Sequence, residues 1–196
     1  DWSSDVCSSD IDLKKSPKIL VIGDLMIDQY LWGDSKRISP EAPVQIIDVD
    51  KVSNILGGAG NVISNLKALG ADVEVISVIG NCENSNILKE LLSEIDVDSG
   101  YLIEEPNRTT SKKSRIIASQ QQVLRYDQEC STEISNSSEK RILKILERNI
   151  NKYDVVLFSD YGKGIFTSKL TKDLIKTAKK FDRKVLVDPK GFDYSI

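Results

Sequence analysis

No histidine occurs among the 196 residues. Its absence removes the Ser-His-Asp and Cys-His nucleophile systems from this chain, and with them any histidine-based metal site. Cysteine is scarce. Cys7, Cys82 and Cys130 are widely spaced and odd in number, which fits neither a disulfide framework nor a zinc-ligand pattern and points to a reducing, cytoplasmic setting. No apolar run approaches the roughly 20 residues that span a bilayer. The 27 lysines and arginines are outnumbered by 30 aspartates and glutamates, a formal net charge of −3. There is thus no general electrostatic reason to bind nucleic acid or an anionic membrane. Two glycine motifs are missing as well. No Gly-Lys-Ser/Thr follows the glycines, so there is no Walker A loop, and no third glycine completes G-x-G-x-x-G. Chemistry is left to carboxylates, lysine, arginine and backbone amides.

What is present is ordinary for a globular domain: 40% hydrophobic and 29% charged residues, in a length that suits one sizeable domain. Residues 1–10 stand apart. They repeat Ser-Ser-Asp, carry no apolar period and lack the basic start and apolar centre of a signal peptide. They read as a translated adapter remnant, expected to be disordered, so Trp2 and Cys7 carry no functional weight. The domain proper is assigned to residues 11–196.

The most informative stretch is Leu56-Gly57-Gly58-Ala59-Gly60-Asn61-Val62. Glycines precede a helical pattern in which Val62, Ile63, Leu66 and Leu69 recur at intervals of three or four, and Gly70 ends it. A glycine-rich loop opening a helix lets backbone approach a ligand closely and aims unpaired N–H groups at it. A tight turn that merely needs positive φ is the plainer alternative. Lys18-Ile19-Leu20-Val21-Ile22-Gly23-Asp24 reads as a buried parallel strand ending in an acid. Strands over 154–160 and 185–188 end likewise, in Asp160 and Asp188. Helical patterns between strands imply a parallel sheet, whose ligands bind at the carboxyl ends. Asp24, Asp160 and Asp188 then converge on one crevice, where carboxylates accept the hydroxyls of a polyol. Asp28 is a weaker case of the same kind. Lys163 and Lys190 follow two of these acids closely, a placement that suits phosphate.

Two segments, 31–50 and 98–127, break the strand–helix rhythm. Short β-branched runs without helices between them predict a small sheet of about four strands. It is assembled from residues 43–49 and a meander over 98–127, and covers the carboxyl ends of the main sheet as a lid. Lys112, Lys113 and Arg115 lie on it, either as phosphate ligands or as solvated charges protecting an edge strand. Asn136-x-x-Glu139 reads as a capping box.

At Gly57-Gly58-Ala59-Gly60-Asn61-Val62 the chain resembles the first signature of the ribokinase-like (PfkB) carbohydrate kinases. Four further runs are similar to the heptose-7-phosphate kinases of lipopolysaccharide core synthesis within that family, the kinase part of bifunctional heptose kinase/adenylyltransferases. They are Gly23-Asp24-x-Met26-x-Asp28-x-Tyr30, Arg37-Ile38-Ser39-Pro40-Glu41-Ala42-Pro43-Val44, Ser159-Asp160-Tyr161-x-Lys163-Gly164 and Asp188-Pro189-Lys190-Gly191. The resemblance implies a ribokinase-like α/β fold: a mainly parallel sheet flanked by helices, with a small β-sheet lid. It implies phosphorylation of D-glycero-β-D-manno-heptose 7-phosphate at the anomeric hydroxyl, with ATP and Mg2+, to the 1,7-bisphosphate. Matching positions make Asp24, Gly57, Gly58, Asn61 and Asp160 sugar contacts. Arg37, Lys113 and Arg115 match lid positions for the 7-phosphate, and Lys163, Asp188 and Lys190 are phosphate-proximal. The lid commonly builds a homodimer.

Ser119 stands where related sequences carry a lid arginine. The family's Asp-x-Thr-Gly-Ala-Gly-Asp signature, source of the catalytic base and of the helix N-terminus that receives the transferring phosphoryl group, is not in the chain. The resemblance therefore implies that the catalytic aspartate lies beyond Ile196. What remains is the amino-terminal part of such a kinase, with no catalytic residue and no metal ligand, expected to be inactive by itself.

Overall fold

A computed structural model describes residues 16–190. Residues 1–10, Gly191 and Ile196, on which expectations above rest, lie outside the described residues. The chain runs β1 (Lys18–Gly23), β2 (Leu25–Ile38), β3 (Gln45–Gly58), α1 (Ala59–Ala68), β4 (Asp72–Gly80), α2 (Glu83–Glu94) and β5 (Leu102–Glu105). It continues with β6 (Ser111–Ala118), β7 (Gln121–Gln128), α3 (Asn136–Asn149), β8 (Val155–Ser159), α4 (Ser168–Lys180) and β9 (Lys184–Asp188).

The main sheet has the order β5-β4-β1-β8-β9, with every pairing parallel. β1 takes the centre because its apolar run can be buried on both faces. Leu20 and Ile22 point to one side, where they join Ile142 and Leu146 of α3 and Leu170 and Leu174 of α4. Val21 points to the other, with Ile63 of α1 and Leu88 and Leu92 of α2. The twofold alternation of a strand thus sorts the helices into two layers. Each fully buried Leu or Ile contributes about 1.5–3 kcal/mol by leaving water.

The second sheet, in the order β3-β2-β6-β7, is the lid. Its composition differs from the expectation of residues 43–49 plus a meander over 98–127. The run Leu25–Ile38 is a 14-residue strand, antiparallel to β3 and parallel to β6. Leu102–Glu105 instead pairs in parallel with β4 and forms an edge of the main sheet. β2 escapes the periodicity argument because both its faces carry polar residues. Because β6 lies between β2 and β7, its cations are not the guards of an edge strand.

The capping box is displaced by one residue. Ser135 caps α3, its hydroxyl accepting the Ser138 N–H at 3.2 Å. Glu139 is buried against the hydroxyl of Thr167, which itself caps α4 by accepting the Leu170 N–H at 3.1 Å.

Glu105, at the end of β5, ties this layer to the main sheet. Its carboxylate accepts the Ser138 hydroxyl at 2.6 Å, the Ser135 N–H at 2.9 Å and Arg108 Nε at 3.2 Å. Burial alone would raise its pKa, but these donors outweigh burial and lower it from 4.5 to about 2. A depressed carboxyl adds stability that is present in full above 4.5 and lost as pH falls through about 2. Glu105→Gln is expected to lose up to about 3 kcal/mol in urea unfolding at pH 7. The gap to the wild type should narrow from pH 4.5 downward; a gap at pH 2.5 as large as at pH 7 would contradict this role.

Candidate functional site

Parallel strands bring their carboxyl ends to one edge of the main sheet. Register aligns Gly23 with Ser159 and Ser159 with Asp188. Backbone bonds continue the alignment beyond the strands: the Asp24 N–H donates to the Ser159 carbonyl at 3.1 Å, and the Asp160 N–H to the Asp188 carbonyl at 3.0 Å. Asp24, Asp160 and Asp188 therefore stand side by side, as the strand ends imply.

Asp24 is only 2% exposed. Its Oδ2 accepts the N–H of Tyr161 at 2.8 Å and of Lys163 at 3.1 Å, while its Oδ1 is buried without a partner. Burial pushes this carboxyl above its ordinary value, against the opposing pull of those two N–H donors. A buried acceptor without a donor is expensive, and a hydroxyl-bearing ligand would satisfy it. Ser159 Oγ, level with Gly23, is also buried and unpartnered. Asp160 is committed in part to its own turn, its Oδ1 accepting the Gly162 N–H at 2.7 Å.

The glycine-rich stretch is a corner, not a loop. β3 runs through Gly58 and α1 begins at Ala59. Gly58 is the N-cap at φ 56°, the left-handed region that favours glycine. Gly57 is needed for space, since a Cβ there would collide with the Asp28 carboxylate. No side chain caps α1, so its first N–H groups have no side-chain acceptor, and Asn61 is exposed in that first turn.

The lid cations face this edge. Arg115 Nη1 donates to Asp28 Oδ1 at 2.6 Å, with its guanidinium 5.3 Å from the centroid of the Tyr30 ring. Lys113 Nζ is 3.1 Å from both Asp127 Oδ2 and Glu129 Oε2, and Lys163 Nζ is 2.7 Å from that same Glu129 oxygen. The Lys163 ammonium holds the Glu129 carboxyl below its ordinary value; burial opposes this and Lys113 adds to it. Lys113, Arg115 and Lys163 are thus brought to the Asp24 edge. Asp188 and Lys190 are exposed beside it, with the Lys190 side chain close to Gly162.

Arg37 is not brought there. It is exposed opposite Ile46 near the far end of β2, with about 30 Å of strand between it and Asp28. It cannot share a phosphate with Lys113 and Arg115 of the same chain. Two residues escaped sequence reasoning. Arg108 is buried and braces the loop carrying Lys163, and Glu129 joins the lid to that loop. Their only signals are an acid three residues before Arg108 and an acid two residues before Glu129. Among the described residues, no group of three His, Cys, Asp or Glu side chains comes together to hold a metal ion.

Residues 16–194 match the model of the pfkB family of carbohydrate kinases. The chain belongs to this family. As a pfkB-family chain it is similar to the bifunctional protein HldE of Aliarcobacter butzleri, at 61% identity over 183 residues, covering 93% of this chain and 38% of that protein. It is also similar to HldE of Sulfurimonas denitrificans, at 57% identity over 180 residues, covering 92% and 38%. It thus spans about two fifths of the length of these curated relatives.

Solved structures share the pfkB-family fold. A carbohydrate kinase from Agrobacterium tumefaciens superposes with a TM-score of 0.66 at 19% identity, covering 87% of this chain and 53% of that one. The Arabidopsis thaliana ribokinase complexed with ribose and ATP gives 0.59 at 14% identity, covering 91% and 55%. The ribokinase-like architecture expected from the motifs is the one observed. Among the described residues, no helix of this pfkB-family chain is long and apolar enough to cross a membrane.

Proposed function

We propose that this chain is the sugar-binding part of a cytoplasmic kinase that phosphorylates D-glycero-β-D-manno-heptose 7-phosphate at its anomeric hydroxyl, with ATP as the donor. The observation that carries this reading is the buried, unpartnered Oδ1 of Asp24, beside a glycine corner and below the cations of the lid. Asp24 Oδ1 accepts a sugar hydroxyl, and Asp160 and Asn61 orient the ring. The Gly57-Gly58 backbone lets the polyol lie close. Lys113, Arg115 and Lys163 neutralise the 7-phosphate. The motifs that resemble the heptose-7-phosphate kinases support the choice of sugar.

Asp188 and Lys190 lie further along the same edge, toward the ATP phosphates. In the transfer step the anomeric hydroxyl gives up its proton to a base and attacks the γ-phosphorus in line, while the bond from that phosphorus to the β–γ bridging oxygen breaks and ADP leaves. No carboxylate among the described residues is assigned as that base. The magnesium that accompanies ATP is assigned no ligand in this chain. β9 has no strand partner on its outer side among the described residues, and its Leu186 and Val187 are 57% and 50% exposed.

The lid also supports a homodimer. Val52, Leu31, Ile116 and Leu124 stand opposite one another across all four strands. This apolar row occupies the face turned away from Asp28, Lys113 and Arg115.

Titration calorimetry of the chain should show saturable one-to-one binding of the heptose 7-phosphate. Its affinity should be at least about tenfold higher than for the unphosphorylated heptose, because charge-assisted bonds to phosphate discriminate. No ADP should appear when ATP is added. Equal affinity for the two sugars would overturn the substrate assignment, and turnover by the 196-residue chain would overturn its inactivity.

A further inference from the structure

Two ammonium groups from different sheets converge on one carboxylate oxygen. Lys113 comes from β6 of the lid and Lys163 from the segment after β8, and both reach Glu129 Oε2, at 3.1 and 2.7 Å. Lys113 also pairs with Asp127 at 3.1 Å, but Arg125 holds that carboxylate too, so three cations share two carboxylates and the cluster has positive charge to spare for an anion. The Lys113 and Lys163 side chains are 19% and 13% exposed, whereas Glu129 is 34% exposed and follows the last residue of β7. The cations are the inner partners and the carboxylate is the outer one, free to swing into water. Lys163 also measures the distance to the sugar site: its backbone N–H donates to Asp24 and its ammonium to Glu129. The two are separated by one lysine side chain, a span comparable to the carbon chain of a heptose.

We propose that Glu129 is an internal stand-in for the phosphate of the substrate and sets the affinity of that anion seat. This rests on the sugar-phosphate reading above. An entering phosphate ester takes the seat between Lys113 and Lys163, and the Glu129 carboxylate turns outward. A dianionic phosphate offers three oxygens and a second charge where Glu129 meets both ammonium groups through Oε2 alone, so it displaces Glu129. A sugar without phosphate has nothing to exchange and leaves the ion pairs intact. The competition subtracts from the affinity of the correct ligand and keeps weaker anions out of the seat.

The test is titration calorimetry of the chain and its Glu129→Gln and Glu129→Ala variants, using inorganic phosphate, heptose 7-phosphate and unphosphorylated heptose. Both variants are expected to bind inorganic phosphate and heptose 7-phosphate about tenfold more tightly than the wild type, as removal of one competing charge predicts. Unphosphorylated heptose should bind all three proteins alike. Equal or weaker binding of inorganic phosphate by both variants overturns the proposal, and Glu129 is then a strut between lid and main sheet. If phosphate binding tightens but no heptose binds any of the proteins, the anion seat stands and the heptose assignment fails.

Discussion

Arg108→Ala is expected to lower the unfolding free energy by about 3–5 kcal/mol, the range for removing one partner of a buried ion pair. The Arg108 side chain is 6% exposed and uses the whole guanidinium fork. Nε donates to Glu105 Oε2 at 3.2 Å, Nη1 to the Lys163 carbonyl at 2.9 Å and Nη2 to the Thr132 carbonyl at 2.6 Å. Three connections are pinned by one residue: the turn after β5, the approach to α3, and the segment after β8 that carries Lys163. Truncation takes this donor from the Lys163 and Thr132 carbonyls and leaves the Glu105 carboxylate with its two serine donors alone. Lysine does not rescue it, because one ammonium cannot match the fixed directions of the guanidinium; Arg108→Lys should still lose about 2 kcal/mol. Urea unfolding at pH 7 with an unchanged m-value would read these losses as stability. A loss below about 1 kcal/mol for Arg108→Ala would mean that water replaces the fork. Because the Lys163 N–H donates to Asp24, loss of this brace should also loosen the sugar site.

The parts legible from sequence are those whose signal is local. β1 and β8 announce themselves by apolar runs that end in Asp24 and Asp160, since a central parallel strand is buried on both faces. α1, α2, α3 and α4 show their helical stripes because each buries one side against the sheet. β2 does not show itself. It lies in a sheet with no sealed core, and Asp28, Gln29, Asp34 and Lys36 occupy both its faces. Whether Lys113 and Arg115 guard an edge or face a ligand depends on strand order, which no periodicity encodes; the position of β6 between β2 and β7 decides it. Arg108 and Glu129 act on partners distant in the chain, Lys163 lying 55 residues from Arg108, and no window of sequence contains such a pair. The glycine signature is legible in type but not in use. Its geometry is a strand-to-helix corner that must clear the Asp28 carboxylate, so close approach rather than loop freedom explains Gly57.

Asp24→Asn is expected to weaken heptose 7-phosphate binding about 10- to 100-fold, the worth of a hydrogen bond to a charged group, while leaving the free chain no less stable at pH 7. The two effects share one cause. Burial raises the Asp24 pKa above 3.8 in the folded chain, so the unfolded chain ionises first as pH rises. Folding stability then falls as pH climbs from 3.8 through the folded value, and the loss persists at neutral pH. Asparagine carries no charge at any of these pH values, and its carbonyl can still accept the N–H groups of Tyr161 and Lys163. The variant should therefore match or exceed the wild type in urea unfolding at pH 7, with the difference shrinking below pH 3.8. Reduced stability with unchanged sugar binding would instead make Asp24 an anchor for the segment after β8 and nothing more. An acid whose removal helps the fold but harms ligand binding is kept for the ligand. The unpartnered Oδ1 is the atom through which that trade is made.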